Sequence, residues 1–524
     1  RSTSDLWAGS HLLSRLAWEA MRPVCEALGP DAILFPRLRG IPQVDLWLRD
    51  AMYLPADLFS HCEWNRGATD ANPLFAAALP NRFVAVVPAS RAREIAENVT
   101  RQVRDWLARL GEDGLMRLLH EAGFDKETTL TPYEHMKEQL AGFPEVHWAA
   151  VPFSLIHCRD AAKQRDLDTS QLSAAMAPFF HPSPASGRGA GGEGDPGFFG
   201  SDAWKVLRQE APMETPDGRK LTFFAPNPGV LYPAVYDLAE RVLAAAKSTR
   251  PFGQSAQQGW RCSLTGETEW LTTDRVQLGV PAGKRRSRKD KKGFKEGEHV
   301  ETLWTRVADE KPSLAKSSEH LGALPAIKRL WPTVFAEEVG RALNPRDDGT
   351  VRKIDRFVVS THTMALAKNL STLDSALRQS SVGQGAADIA SLVTDADQPP
   401  ALPRKIAHLR NTLAARVPAA LDRLRESEAA EDESRLRRLE SGLKQLLGFR
   451  PETYYALLMM DGDRMGAILA GDDKTAISYR NSFHPDVQKC FDERAAKQSL
   501  IKRYGDLKRA ISPNRHLAVS GALN

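Results

Sequence analysis

The sequence predicts an α+β fold of several domains, and three observations carry that expectation. A helix, two apolar strands, a second long helix and a third strand follow one another within the first 155 residues. A helical pattern runs from Ile354 to Leu447, and a strongly apolar strand, Tyr454 to Met460, then opens a last region. At 524 residues the chain exceeds what one hydrophobic core usually serves, so roughly two to four domains are expected.

In the first region, Leu6, Leu12, Leu13, Leu16 and Met21 recur at helical spacing, which predicts a helix over Asp5 to Leu28. Short apolar strands follow at Ala32 to Phe35 and Arg82 to Val87. A helix is expected from about Ser90, as N-cap, to Leu110, and a strand over Val146 to Val151. That order is a ferredoxin-like unit lacking only its first strand. Pro182 to Gly197 has no apolar residue beyond alanine and reads as a flexible linker. Between Gly283 and Glu298 stand Lys284, Arg285, Arg286, Arg288, Lys289, Lys291, Lys292 and Lys295, which read as a solvated loop able to meet RNA phosphates. Asp422 to Lys444 mixes acidic residues with Arg and reads as a solvent-facing helix. The expected domains are 1–155, an insert over 156–345 containing the linker at 182–197 and the basic loop at 283–298, a helical region over 346–449, and 450–524.

Composition excludes some classes of function. With 42% hydrophobic and 26% charged residues the chain is globular in type, with no run near the roughly 20 apolar residues of a membrane helix and no signal-peptide layout, which points to the cytoplasm. Its five cysteines are scattered and read as reduced thiols. A net charge of +5 is compatible with a nucleic-acid partner.

The strongest chemical signal is Tyr454-Tyr455-Ala456-Leu457-Leu458-Met459-Met460-Asp461-Gly462-Asp463-Arg464-Met465-Gly466. Two carboxylates one glycine apart at the end of a strand suit magnesium, which takes one or two carboxylates together with substrate phosphates. Asp-Gly is also a hairpin signal, and residue type alone leaves the two readings level. The apolar strand before the pair and Met465-Gly466 after it favour the metal.

Asp5-Leu6-Trp7-Ala8-Gly9-Ser10, with Leu12-Leu13-Ser14, resembles the opening helix of the Cmr-type large subunits of type III-B CRISPR RNA-guided effector complexes. Further stretches resemble that family in the same order. They are Leu34-Phe35-Pro36 with Leu38-Arg39-Gly40, Leu79-Pro80-Asn81-Arg82-Phe83, Cys262-Ser263-Leu264-Thr265-Gly266-Glu267, Ile327-Lys328-Arg329-Leu330-Trp331-Pro332, Ser360-Thr361-His362-Thr363-Met364-Ala365, the Asp461 to Gly466 run, and Ser512-Pro513 with His516.

The resemblance implies two ferredoxin-like palm domains, the first lacking its first strand and the second truncated, separated by a largely helical insert. It implies a subunit in antiviral defence that binds guide RNA, target RNA and neighbouring subunits. It also implies a nucleotidyltransferase that joins ATP into cyclic oligoadenylates with magnesium or manganese. Carried over by position, Asp461 and Asp463 are the catalytic and metal residues, and Gly462, Arg464 and Gly466 the nucleotide-binding ones. Separately from the resemblance, the charge of the basic loop makes Lys284, Arg285, Arg286, Arg288 and Lys289 the candidate RNA contacts.

The sequence departs from the family pattern in several places. The Gly-Gly-Asp-Asp hairpin is missing, and Gly471-Asp472-Asp473 reads as a surface turn. Many relatives carry a nuclease-like domain with a His-Asp motif before the first palm, and this sequence reads as beginning after that point. Thr265 stands where a Cys-x-x-Cys partner of Cys262 would fall, so no zinc is expected. With no initiating Met and no helix stop near Asn524, the chain reads as a fragment, expected to be inactive alone. His362 and His516 read as structural, and Trp7, Trp18, Trp47 and Trp331 as core. The main alternative is a scaffold subunit that anchors guide RNA without catalysis. A stand-alone diguanylate-type cyclase shares the strand-then-Asp design but not the motifs at Asp5 to Ser10 or Ile327 to Pro332.

Overall fold

The computed structural model describes residues 3–65, 69–70, 72–124, 131–158, 167–179, 199, 202–214, 217–249, 257–286, 299–312, 314–316, 318–343, 353–354, 361–379, 383–395, 397, 402, 404–426, 430–450 and 477–508. It is α+β and predominantly helical. The helices are α1 Thr3–Leu28, α2 Pro42–Asp50, α3 Ala92–Glu121, α4 Thr131–Leu140, α5 Ser170–Met176, α6 Asp202–Leu207, α7 Tyr232–Ser248 and α8 Leu303–Glu310. They continue with α9 Ala323–Ala342, α10 Thr361–Leu366, α11 Leu370–Gln379, α12 Gln384–Leu392, α13 Leu413–Glu426, α14 Ala430–Leu447, α15 Pro485–Ala495 and α16 Ser499–Asp506. The strands pair antiparallel in twos: β1 Ile33–Phe35 with β2 Val84–Ala85, β3 His157–Cys158 with β4 Leu167–Asp168, and β5 Ala211–Glu214 with β6 Lys220–Phe224.

The chain divides into two compact units, one taking in Arg1–His11, Asp45–Ala76 and Lys328–Asp461, the other Leu12–Val44, Ala77–Ile327 and Gly462–Asn524. In the first unit, Trp7, His11, Phe75, Trp331 and Phe335 form an aromatic cluster, with the His11 ring 4.7 Å from that of Trp7 and 4.2 Å from that of Phe335. Its hydrogen bonds fix the histidine tautomer. Trp331 Nε1 donates to His11 Nδ1 at 3.0 Å, so Nδ1 is bare and Nε2 donates to the Leu74 carbonyl at 3.0 Å. Asn72 braces the same turn, accepting from Leu74 N at 2.9 Å and donating to Trp64 O at 2.7 Å. Trp47 and Trp331 are buried, as expected of core residues.

Helices α10 to α14 bury Leu366, Leu370, Leu373, Ile389, Leu421, Leu424, Leu439 and Leu443 in one core. This corrects the expectation for Asp422 to Lys444, which is not one solvent-facing helix. It holds the end of α13 and most of α14, whose leucines recur at helical spacing and turn inward while the charges stay outside. At the edge of this core the exposed Arg423 grips the buried Asp397 with two bonds, Nε at 2.7 Å and Nη2 at 2.9 Å. Burial pushes the Asp397 carboxyl up, but Arg423 and the Thr394 backbone and hydroxyl outweigh it and hold the group below the usual carboxylate range. His362 on α10 meets Asp422 on α13 at 2.5 Å, which gives it the carboxylate partner that the sequence does not reveal.

In the second unit, β1 and β2 bring Ile33 opposite Ala85 and Phe35 opposite Val84. Helix α3 corrects two expectations. It starts at Ala92, after a tight turn over Ala89–Arg91, so Ser90 is not its N-cap, and it runs on to Glu121 rather than ending at Leu110. Gly111 does not stop it, because a Cβ there would lie 3.0 Å from Leu140 Cδ1 of α4, so the glycine serves close helix packing. The strand expected over Val146 to Val151 is not formed; these residues pair with no other strand among the described residues, and Trp148 stays exposed. The ferredoxin-like sheet expected in 1–155 is therefore represented by the β1–β2 pair alone. Glu19 is fully buried between Arg15 at 3.1 Å and Arg22 at 3.0 Å on its own helix, and Trp18 is buried beside it. In the last described segment, Phe491 and Ile501 are buried between α15 and α16.

Helices α12 and α14 cross at two glycines, and a Cβ on Gly442 would lie 2.9 Å from the Gly385 carbonyl oxygen. Alanine in a helix usually gains about 1 kcal/mol over glycine, whereas overpacking costs about 1–3 kcal/mol. Gly442→Ala should therefore destabilise the protein by about 1 kcal/mol despite its better propensity, read as a lower urea midpoint. A higher midpoint would show that the two helices part freely.

Candidate nucleic-acid interface

Asp461, Gly462, Asp463, Arg464 and Gly466 lie outside the described residues, as do Gly471-Asp472-Asp473, His516, Arg288, Lys289 and the linker at 182–197. The structure does place the start and the return of the basic stretch, Lys284 to Arg286 and His299 onward, and these belong to a small body of irregular structure formed by residues 257–286 and 299–322.

Its frame is a set of backbone bonds between distant segments. Cys262 N donates to Thr268 O at 2.7 Å and Gly266 N to Cys262 O at 2.9 Å, with Gly266 at φ +69°, where a side chain would be strained. Trp260 N donates to Leu278 O at 2.9 Å, and Leu271 N to Leu321 O at 2.8 Å. Where the basic stretch leaves and returns, Val300 N donates to Lys284 O at 3.0 Å and Arg286 N to Val300 O at 3.3 Å. Trp270 and Trp304 are buried, the latter donating to Leu271 O at 3.0 Å.

Arg285 sits at the centre of this frame. Its guanidinium carbon lies 5.2 Å from the Trp270 ring centroid and 5.9 Å from that of Trp260, and its Nε donates to Val280 O at 2.8 Å. Only 9% of the residue is exposed, and burial pulls its pKa below the ordinary value. Among the basic residues expected to meet phosphate, Arg285 is set apart, its charge held against two indoles and a carbonyl. Lys284 beside it is exposed.

A buried polar layer lies behind. His320 Nε2 meets Thr302 Oγ1 at 3.0 Å, and Thr302 and Thr305 form a reciprocal cap at the start of α8. Burial first, and then the Arg285 charge, bring His320 down to about 4, so it stays neutral. Gln139 of α4 ties the frame to its neighbours, donating to Glu269 O at 2.8 Å and accepting from Ala323 N at 2.8 Å. Glu269 accepts from Gly259 N and lies 3.4 Å from His135 Nε2; burial lowers the His135 pKa against the opposing pull of Glu269.

Among the described residues no group of three or more His, Cys, Asp or Glu is placed to hold a metal, and no helix is long and apolar enough to cross a membrane. Cys262 is buried with a free thiol, as Cys25 is. The sequence reading passes over Trp260, which unlike Trp270 is 52% exposed. The signal available to it is the polar run Gln257-Gln258-Gly259-Trp260-Arg261, where no helical or alternating apolar pattern calls for a tryptophan.

Residues 1–112 match the family model for the N-terminal region of the CRISPR-associated protein Cmr2. A curated protein of Pyrococcus furiosus, the CRISPR system Cmr subunit Cmr2, is 22% identical over 530 aligned residues, taking in 100% of this chain and 47% of that protein. These similarities support a Cmr2-type subunit of a type III-B CRISPR system. It spans about half the length of the curated relative it matches. The segment matched by the family model carries α1, the β1–β2 pair and most of α3.

The neutral His320 gives a pH test of this interior. Its folded pKa of about 4 lies below the ordinary 6.5, so the unfolded chain binds the extra proton first, and stability is lost as pH falls from 6.5 toward 4. The loss from this group is on the order of 3 kcal/mol at about 1.4 kcal/mol per pKa unit. His320→Gln should flatten that part of the stability profile in chemical denaturation at stepped pH, and an unchanged slope would contradict the placement.

Proposed function

We propose that this chain is part of the large subunit of a type III-B CRISPR effector complex, acting in antiviral defence, and that the subunit converts ATP to cyclic oligoadenylate when target RNA is bound. The observation that carries the reading is similarity over the whole chain to a protein named as a Cmr subunit. Its partners are guide RNA, target RNA and the other subunits of the ribonucleoprotein.

In this reading Asp461 and Asp463 would hold magnesium or manganese, with the backbone at Gly462 adding an oxygen. Arg464 and Gly466 would serve the nucleotide. The donor set fits a hard divalent cation, which takes carboxylate and carbonyl oxygens and keeps room for phosphate. When bound, the metal would stabilise charge on the attacking hydroxyl and the leaving pyrophosphate. The chain's own contribution in this reading is two short carboxylate side chains and a backbone carbonyl within three consecutive residues, a compact oxygen set for one cation. Lys284, Arg286, Arg288 and Lys289 supply sequence-independent attraction to RNA phosphates.

Asp461→Ala in the assembled ribonucleoprotein should abolish oligoadenylate formation from ATP while leaving subunit composition and guide content unchanged. The assay is product formation with magnesium or manganese and target RNA. Wild-type rates in the variant would sink the site assignment, and absence of product in the wild-type complex would favour the scaffold reading.

A further inference from the structure

We infer that Trp260 is a stacking platform for an unpaired base of single-stranded RNA, with the exposed Lys284 placed to meet the adjoining phosphate. The inference deepens the RNA reading above and rests on it, but it draws on observations that reading does not use.

The first is exposure without a packing reason. Trp260 keeps 52% of its surface open, while Trp270, ten residues on in the same hairpin, keeps none. A tryptophan left half in water forgoes much of the hydrophobic gain its ring could make, so its position is not explained by the core. The second is that its backbone is fixed. Trp260 N is bonded to Leu278 O, Arg261 and Glu269 form a bridge beside it, and Cys262 N is bonded to Thr268 O, so the ring is presented from a rigid frame.

The third is charge. The exposed Lys284 and the half-buried Arg286 flank the buried Arg285 in sequence, and the Arg285 guanidinium, 5.9 Å from the Trp260 ring centroid, braces the ring from within rather than meeting RNA. Arg261, next to the tryptophan, is also exposed, its guanidinium bonded to Gln257 at 2.6 and 2.9 Å. Single-stranded nucleic acid is held by this combination, an open aromatic face for a base and cations for its backbone. Bases in a duplex are already stacked and present no free face, so the surface distinguishes unpaired RNA from duplex RNA.

The test compares Trp260→Ala and Trp260→Phe with the wild-type assembled protein. Binding of a single-stranded oligouridine and of a duplex RNA of equal length is measured across a series of salt concentrations. Truncation should weaken oligouridine binding about 5- to 150-fold, the range for losing one base stack. Phenylalanine should restore most of it, the salt slope should stay unchanged, and duplex binding should not respond. Equal unfolding midpoints for the phenylalanine variant and the wild type confirm that the frame is intact. If the wild type binds RNA and both variants bind equally well, stacking is overturned and the RNA reading stands. If the wild type shows no salt-dependent RNA binding, the RNA reading falls and stacking falls with it. If Trp260→Ala instead loses a neighbouring subunit while keeping RNA affinity, the surface is a protein contact and the inference is wrong.

Discussion

Arg285 is the residue on which the 257–322 body depends. This region has little regular structure and could not fold on local propensity alone, so its order comes from contacts between distant segments. A buried guanidinium is costly unless its charge is answered. Here two indole faces and the Val280 carbonyl answer it. The arrangement orients the Trp260 edge, and its positive field helps keep His320 neutral. Once that cation is in place, the exits of the basic stretch are fixed by the paired bonds among Lys284, Arg286 and Val300.

What could be read in the sequence was what local patterns encode. Helix α1, the β1 and β2 strands and the helical run from α10 to α14 follow from apolar spacing, and the structure places them close to the expected bounds. What could not be read depends on partners far along the chain. The run of α3 past Leu110 was not legible, because Gly111 is accounted for by the close packing of Leu140 from α4. Val146 to Val151 reads as an apolar strand but pairs with no strand among the described residues. His362 acquires Asp422 only because α10 and α13 lie side by side, 60 residues apart in sequence. Arg285 is indistinguishable by composition from Lys284 and Arg286, yet it alone of the three is buried. The candidate metal site is the reverse case: its chemistry is legible in residue types alone, an apolar run ending in Asp461-Gly462-Asp463, and these residues lie outside the described ones.

The two chemistries proposed for this chain use different physics. Nucleotide joining needs carboxylates held rigidly at a strand end, so that a cation and phosphates meet in one geometry. RNA attachment needs charge and open aromatic surface, and tolerates sequence variation because every base has a face to stack. A basic stretch anchored at both ends by backbone bonds serves the second need without requiring the charged segment itself to be ordered.

The central claim is that Arg285 supports the RNA-facing surface from within while Lys284 meets RNA from outside. The most direct measurement is the salt dependence of RNA binding by Arg285→Met and Lys284→Met, taken with the urea midpoint of each. Lys284→Met should lower the slope of log affinity against log salt by about 1 and leave stability unchanged. Arg285→Met should leave the slope alone and lower stability by about 1–3 kcal/mol, the cost of an unanswered buried carbonyl and two lost ring contacts. A reduced slope with undiminished stability in Arg285→Met would contradict the account.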